Sequence, residues 1–380
     1  MAGSSYGTIF RNTTWGESHG KGIGVVVDGC PAGLPLSEED IQRYLDRRKP
    51  GQSRFTTARQ EGDQAEILSG VFEGKTTGTP IALEIRNKDQ RSQDYGEIMD
   101  IYRPGHADYT FDQKYGFRDY RGGGRSSGRE TAGRVAAGAV AAKLLESLGV
   151  KVRAYTRSIG PVVISPERMD LAERDKNRLY MPDAQAALEA EAYLETLMAE
   201  KDSSGGVVEC VIEGMPVGIG EPVFEKLDAN LAKAILSIGA VKGFEIGSGF
   251  QAASMRGSEN NDAFCLEEKT PDGGLAFLPR TVKQTNHSGG TLGGMSDGSP
   301  IVFRAAFKPT PSIARPQQTV DRFGKEREIV IKGRHDPIIV PRAVVVVEAM
   351  AALTAADMLL LSMTSRLDRI RAFFGGDRAG

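Results

Sequence analysis

A chain of 380 residues, 40% hydrophobic and 26% charged, can bury a large core and belongs with ordinary globular proteins, not with disordered ones. Its formal net charge of −2 argues against a general nucleic-acid or membrane-surface binder, so any basic site must be local. The N-terminus lacks a charged-then-apolar signal pattern. Three cysteines far apart in sequence, Cys30, Cys210 and Cys265, have no CxxC pairing and suit buried thiols in the cytoplasm.

In chain order, residues 22–28 (GIGVVVD) read as a strand, and Ser37 with Asp40 forms a capping box that opens a helix to about Arg48. A strand follows at 80–85, then a long Ala- and Gly-rich helix at 129–148 that admits close approach by its neighbours. Further strands are predicted at 150–159, 206–212, 243–248 and 300–306, with helices at 183–201, 228–237 and 342–366. The most apolar run, 344–363, is nearly long enough to span a bilayer, but it holds Glu348 and Asp357. Both would be costly at a membrane centre, so the run reads as a buried core helix. Segments 121–148 and 332–361 share one plan, a basic loop followed by a long apolar helix. No linker divides the chain, which predicts one intertwined α+β domain over residues 1–380.

Two apparent nucleotide motifs fail. Residues 70–76 (GVFEGKT) are one residue short of a phosphate-binding P-loop and read as a hairpin turn. Residues 20–24 (GKGIG) misplace the third glycine of a dinucleotide fingerprint and lead into a strand. His335–Asp336 has no second ligand at metal-binding spacing, so no metal is expected.

The chemistry concentrates in polar loops. All four histidines (His19, His106, His287 and His335) lie in Gly-rich or Pro-flanked stretches. Residues 103–108 (RPGHAD) put a guanidinium and an imidazole on one turn, able to hold an anion and move a proton beside it. Arg118, Arg121, Arg125 and Arg129 surround a triple glycine and two serines just before a long helix, whose N-terminus is a natural anion site. Residues 286–294 (NHSGGTLGG) let backbone approach a flat ligand, and 308–312 (KPTPS) combine a cation with two hydroxyls. In 333–337 (GRHDP), Asp336 is the best general-base candidate. A phosphate lyase or transferase using these anion loops and an RNA-binding module are the competing readings, the second weakened by how few aromatics accompany the arginines.

These loops together resemble the chorismate synthase family nearly end to end, through GESHG at 16–20, RPGHAD, RGGGRSSGRETAGRVAAGA at 121–139, NHSGGTLGG, KPTPS and GRHDP. The resemblance implies a β-α-β sandwich with long central helices and a homotetramer. It also implies elimination of phosphate from 5-enolpyruvylshikimate 3-phosphate to give chorismate, with reduced FMN as cofactor and an external flavin reductase as its source. Carried over by resemblance, Arg125, Ser126, Ser127, Ala240, Gly293, Lys308, Thr310, Ser312 and Arg334 would contact FMN. Arg48, Arg54, Arg103 and Arg129 would hold the substrate's anionic groups. His19 would protonate the departing phosphate, His106 would stabilise or protonate the reduced flavin, and Asp336 with Ser127 would take the flavin N5 proton. His287 and His335 would serve structure.

Overall fold

The computed structural model describes residues 3–51, 55, 62–87, 99–266, 281–331 and 336–375. Val25 and Val27 alternate with outward-facing neighbours along the strand Gly22–Asp28, and Ile81, Leu83 and Ile85 do the same along Ile81–Arg86. That period of two gives each strand one buried face. The first sheet runs, in spatial order, Ser5–Tyr6, Arg11–Gly16, Gly22–Asp28, Ile81–Arg86, Ala65–Ile67, every pair antiparallel. A second antiparallel sheet runs Val241–Ile246, Ile301–Phe307, Gly206–Glu213, Lys151–Ile159, Val162–Val163.

The helices are α1 (Glu38–Arg48), α2 (Asp108–Tyr115), α3 (Thr131–Ser147), α4 (Ala184–Glu200), α5 (Leu227–Leu236), the single turn α6 (Gly257–Asn260), α7 (Val340–Leu361) and α8 (Leu367–Gly375). Helix α3 packs on the first sheet, α7 packs on the second, and the two pack on each other, which makes an α+β sandwich with helices inside. Small residues set the spacing. A Cβ at Gly133 would lie 3.1 Å from the Gly24 carbonyl oxygen, and one at Gly138 would run into the Cβ and backbone of Ala349 on α7. Gly138→Ala should therefore destabilise the fold by roughly 1–3 kcal/mol through overpacking, against a helix-propensity gain of about 1 kcal/mol. An unchanged or raised melting temperature would contradict this contact.

The shared plan of the two halves extends to individual residues. Segments 28–34 (DGCPAGL) and 213–219 (EGMPVGI) each leave a sheet strand. Segments 70–85 and 290–305 each form a two-residue hairpin leading into the next strand. Thr76 Oγ1 donates to the Pro31 carbonyl at 2.6 Å and accepts from Leu34 N–H at 2.9 Å. Ser296 Oγ repeats both bonds with Pro216 (2.5 Å) and Ile219 (2.9 Å). The hairpin read from residues 70–76 is present, as Val71–Phe72 pairs with Lys75–Thr76.

Helix α7 is long and apolar enough to cross a membrane, yet it is almost wholly buried inside the sandwich. Its two carboxylates are fully engaged. Glu348 accepts from Arg47, Arg174 and the Ala154 N–H, and Asp357 accepts from the N–H groups of Thr8, Ile9 and Phe10.

Some expectations shift. The strand expected at 243–248 is Val241–Ile246, ended by Gly247 and Gly249 in left-handed conformations. The last long helix starts at Val340, with Pro341 in its first turn, and gives way after Leu361 to a 3-10 turn. Helix α2 carries no apolar periodicity and was not anticipated. Cys30 and Cys210 are buried free thiols, whereas Cys265 is only partly covered, on a short strand away from the core.

Candidate active site

The arginine- and glycine-rich loop reaches α3 through two 3-10 turns, Gly124–Ser126 and Gly128–Glu130. Ser127 Oγ accepts from the Arg129 N–H at 3.2 Å, and Ser126 Oγ donates to the Gly123 carbonyl at 2.7 Å. At Gly122 (φ +89°) any side chain would collide with the His19 imidazole, so this glycine lets the GESHG loop lie directly on the arginine loop.

Most of the predicted arginines are braced by partners that the motifs do not reveal. Arg48, at the end of α1, donates Nη1 to Asp63 Oδ2 (2.6 Å), Nη2 to the Gly128 carbonyl (3.0 Å) and Nε to Thr131 Oγ1 (3.0 Å). Arg129 Nη1 takes the other oxygen of the same Asp63, and its Nε donates to Asn87 Oδ1 at 2.9 Å. Burial pushes the Arg48 pKa below the usual guanidinium value, and the Asp63 carboxylate opposes that push. Arg103 makes a two-pronged bond to Asp108, both prongs 2.7 Å. Burial alone would raise the Asp108 pKa, but the bonds and charge of Arg103 outweigh it and hold the carboxyl below its ordinary range. Arg125 is directed at the first sheet, donating to Thr14 Oγ1 (2.6 Å) and to the carbonyls of Gly16 (3.0 Å) and Thr14 (3.1 Å). Arg118 serves the loop itself, through Asp112 and the carbonyls of Met99 and Ile101.

His106 joins two motifs. Its Nδ1 lies 2.9 Å from the Pro104 carbonyl, which can only accept, so Nδ1 carries the hydrogen. Nε2 then accepts from Ser312 Oγ at 2.9 Å. Burial, then the charge of Arg103, lowers the His106 pKa below 6.5, so the ring is neutral at pH 7. Lys308 Nζ donates to the Gly105 carbonyl at 2.9 Å, and a Cβ at Gly105 would sit 2.6 Å from Pro311. The RPGHAD and KPTPS loops are thereby docked face to face.

These loops enclose a cleft of about 1220 Å³ at the N-terminal ends of α3 and α7, bordered by Thr131 and Arg134 of one helix and Ile339 and Arg342 of the other. Two helix N-termini therefore present their positive ends to the same space. Among the described residues lining it, nine are lysines or arginines and five carry carboxylates, a balance that favours an anionic ligand. Every described residue expected to contact substrate or flavin or to move a proton borders this cleft except His19, packed behind Gly122, and Gly293; Arg121 of the arginine loop does not line it either. Gly293 lies in the hairpin turn between Thr291–Leu292 and Met295–Ser296. Arg54, Arg334 and His335 lie outside the described residues. His287 is also away from the cleft, with Nδ1 3.1 Å from Asp262.

Two features at the cleft point to a ligand that binds along its wall. Thr310 Oγ1 is buried without a hydrogen-bond partner among the described residues. Ala240 holds a left-handed backbone (φ +72°) that a non-glycine residue adopts only at a cost of about 1–2 kcal/mol, while its carbonyl accepts from the Lys308 N–H at 3.0 Å. Asp336 is paired with Arg342 at 2.8 Å, and Arg342 Nε donates to the Arg48 carbonyl at 3.1 Å. Asp63 and Arg342 are absent from the sequence reading because neither sits in a loop of recognisable composition.

A sequence model described as chorismate synthase matches residues 10–360 of this chain. The chain belongs to the chorismate synthase family. The chorismate synthase of Agathobacter rectalis is 67% identical over 98% of this chain and 99% of its own length. That of Lachnospira eligens is 63% identical over 98% of this chain and all of its own length. A crystal structure of chorismate synthase superposes with a TM-score of 0.75 at 34% identity, covering 97% of each chain. The chain is thus an enzyme of the lyase class, with the fold expected of a chorismate synthase.

Proposed function

We propose that this enzyme eliminates phosphate and the C6 proton of 5-enolpyruvylshikimate 3-phosphate to form chorismate, with reduced FMN bound in the cleft described above. The observation that carries the reading is the braced polycationic cleft at two helix N-termini, which matches a substrate bearing one phosphate and two carboxylates. Ala240, Lys308, Thr310 and Ser312 line the same cleft as the Ser126–Ser127 turn. The Thr310 hydroxyl, without a partner among the described residues, suits the polar, phosphate-bearing edge of a flavin. When bound, reduced flavin supplies an electron that is lent and returned, so the elimination carries no net redox change.

The chain's own groups do the rest. Arg48 and Arg129, both held by Asp63, and Arg103, held by Asp108, bind the substrate's anionic groups with little reorganisation. His19 donates a proton to the departing phosphate. His106, neutral at rest, gains a proton more readily once dianions fill the cleft beside it. Asp336, oriented by Arg342 and acting with Ser127, is the carboxylate that takes up a proton. Arg54, Arg334, Arg125 and Gly293 are further proposed contacts of substrate and flavin.

The enzyme is further proposed to be a cytoplasmic homotetramer. Phe224 and Phe250, which are 88% and 84% exposed in the loops flanking α5 and the edge strand Val241–Ile246, support burial against other copies.

An anaerobic assay tests the reading: phosphate should be released only when photoreduced FMN accompanies the enolpyruvyl substrate. Equal release without flavin would overturn it. With NADPH and oxidised FMN alone, no turnover is expected without an added flavin reductase, and turnover there would overturn the need for an external one.

A further inference from the structure

We propose that Asn87 is a positioning residue that fixes the loop carrying His19 and ties it to the paired arginines of the cleft. The inference rests on the reading of His19 as the acid for the departing phosphate. Asn87 stands one residue beyond the strand Ile81–Arg86, and its backbone N–H continues the ladder by donating to the Lys21 carbonyl at 3.1 Å. Its side-chain amide spans the GESHG turn, since Nδ2 donates to the carbonyls of Glu17 (3.0 Å) and Gly20 (2.9 Å) on either side of His19. That turn is closed on itself by Gly20 N–H to the Glu17 carbonyl at 3.1 Å. On its other face, Asn87 Oδ1 accepts from Arg129 Nε at 2.9 Å.

Only one orientation of the amide fits, because two carbonyls require donors and a guanidinium requires an acceptor. An asparagine is therefore specified, and no other residue of similar size supplies both. Arg129 continues the chain through Asp63 to Arg48. The groups proposed to grip the substrate and the loop proposed to protonate its leaving group thus share one hydrogen-bonded frame, joined at the Asn87 side chain. A frame of this kind sets the distance between grip and acid, where an error near 1 Å costs about 100-fold in rate.

The test is Asn87→Asp, which keeps the acceptor for Arg129 and removes both donors to the loop. In the full-length enzyme, kcat should fall on the order of 10- to 100-fold while KM changes less than about threefold. In a His19→Ala background the same substitution should change kcat by less than about twofold, because a positioning residue has nothing left to position. An equal loss of kcat in both backgrounds would overturn the inference. Amide hydrogen exchange gives a readout independent of the role of His19. Exchange at Gly20 should quicken by at least about tenfold in Asn87→Asp, and unchanged exchange would overturn the inference. A His19→Ala enzyme of near-normal rate would instead remove the acid role of His19, with the exchange result still deciding whether Asn87 holds the loop.

Discussion

His106→Ala is expected to lower kcat by roughly two to four powers of ten, the range of a proton-handling group, with the fold retained. The substitution removes the Nδ1 bond to Pro104 and leaves Ser312 Oγ without its acceptor at the point where the RPGHAD and KPTPS loops meet. A variant with near-normal kcat would take His106 out of the chemistry. The neutral ring adds a pH signature. The folded protein binds the His106 proton less tightly than the unfolded chain, whose value is near 6.5. Neutral His106 therefore contributes stability that is fully present above pH 6.5 and is lost as pH falls through the lower folded value. Acid-side melting curves should show less pH sensitivity in His106→Ala than in the parent. Binding of phosphorylated ligands should move the His106 titration upward, which the imidazole resonances report directly.

Asp63→Asn should be the most damaging single change to the frame of the cleft. Asp63 is itself buried, and its two oxygens are divided between the buried guanidinium groups of Arg48 and Arg129. Removing the charge leaves two like charges close together in a poorly solvated space, a loss of roughly 3–5 kcal/mol when a buried pair is broken from one side. Asparagine is the right probe because Asp63 sits at φ +42°, a conformation that Asn tolerates and most residues do not. The backbone is kept and only the charge is changed. Urea unfolding should register the loss, and affinity for phosphorylated ligands should fall with it. A denaturation midpoint equal to that of the parent would mean that the two arginines do not depend on this carboxylate.

How far the sequence foretold the molecule differs between elements and partners. Period-two and apolar runs placed every major sheet strand from residue 22 onward to within about two residues, and the Ser37–Asp40 capping box opened α1 where expected. The RPGHAD, arginine and KPTPS loops and Asp336 converge on one cleft because both long helices begin there, whereas the NHSGGTLGG loop lies away from it. What stayed hidden were the partners at long range in the chain. Asp63 belongs to a loop of ordinary polar composition, and only the fold brings it between Arg48 and Arg129. The residue-level repeat was also missed, since the spacers between DGCPAGL and 70–85 and between EGMPVGI and 290–305 differ in length and give no fixed period. The hairpin that carries Gly293 is the repeat partner of the one at Glu73–Gly74. Its glycines answer first to that turn, as Glu73, in the position of Gly293, also has a positive φ.

Asp357 closes the molecule in time as well as in space. Its carboxylate gathers the N–H groups of residues 8–10, so the first strands of the chain are pinned by a helix almost 350 positions later. A nascent chain emerging from the ribosome cannot satisfy those three donors until α7 has been made. The N-terminal sheet must wait with one margin open, and contacts this distant in sequence are slow to form. Closure of this margin is thus a late step in folding. Until then the backbone N–H groups of residues 8–10 must stay with water, and the first strands lack the anchor that α7 later supplies.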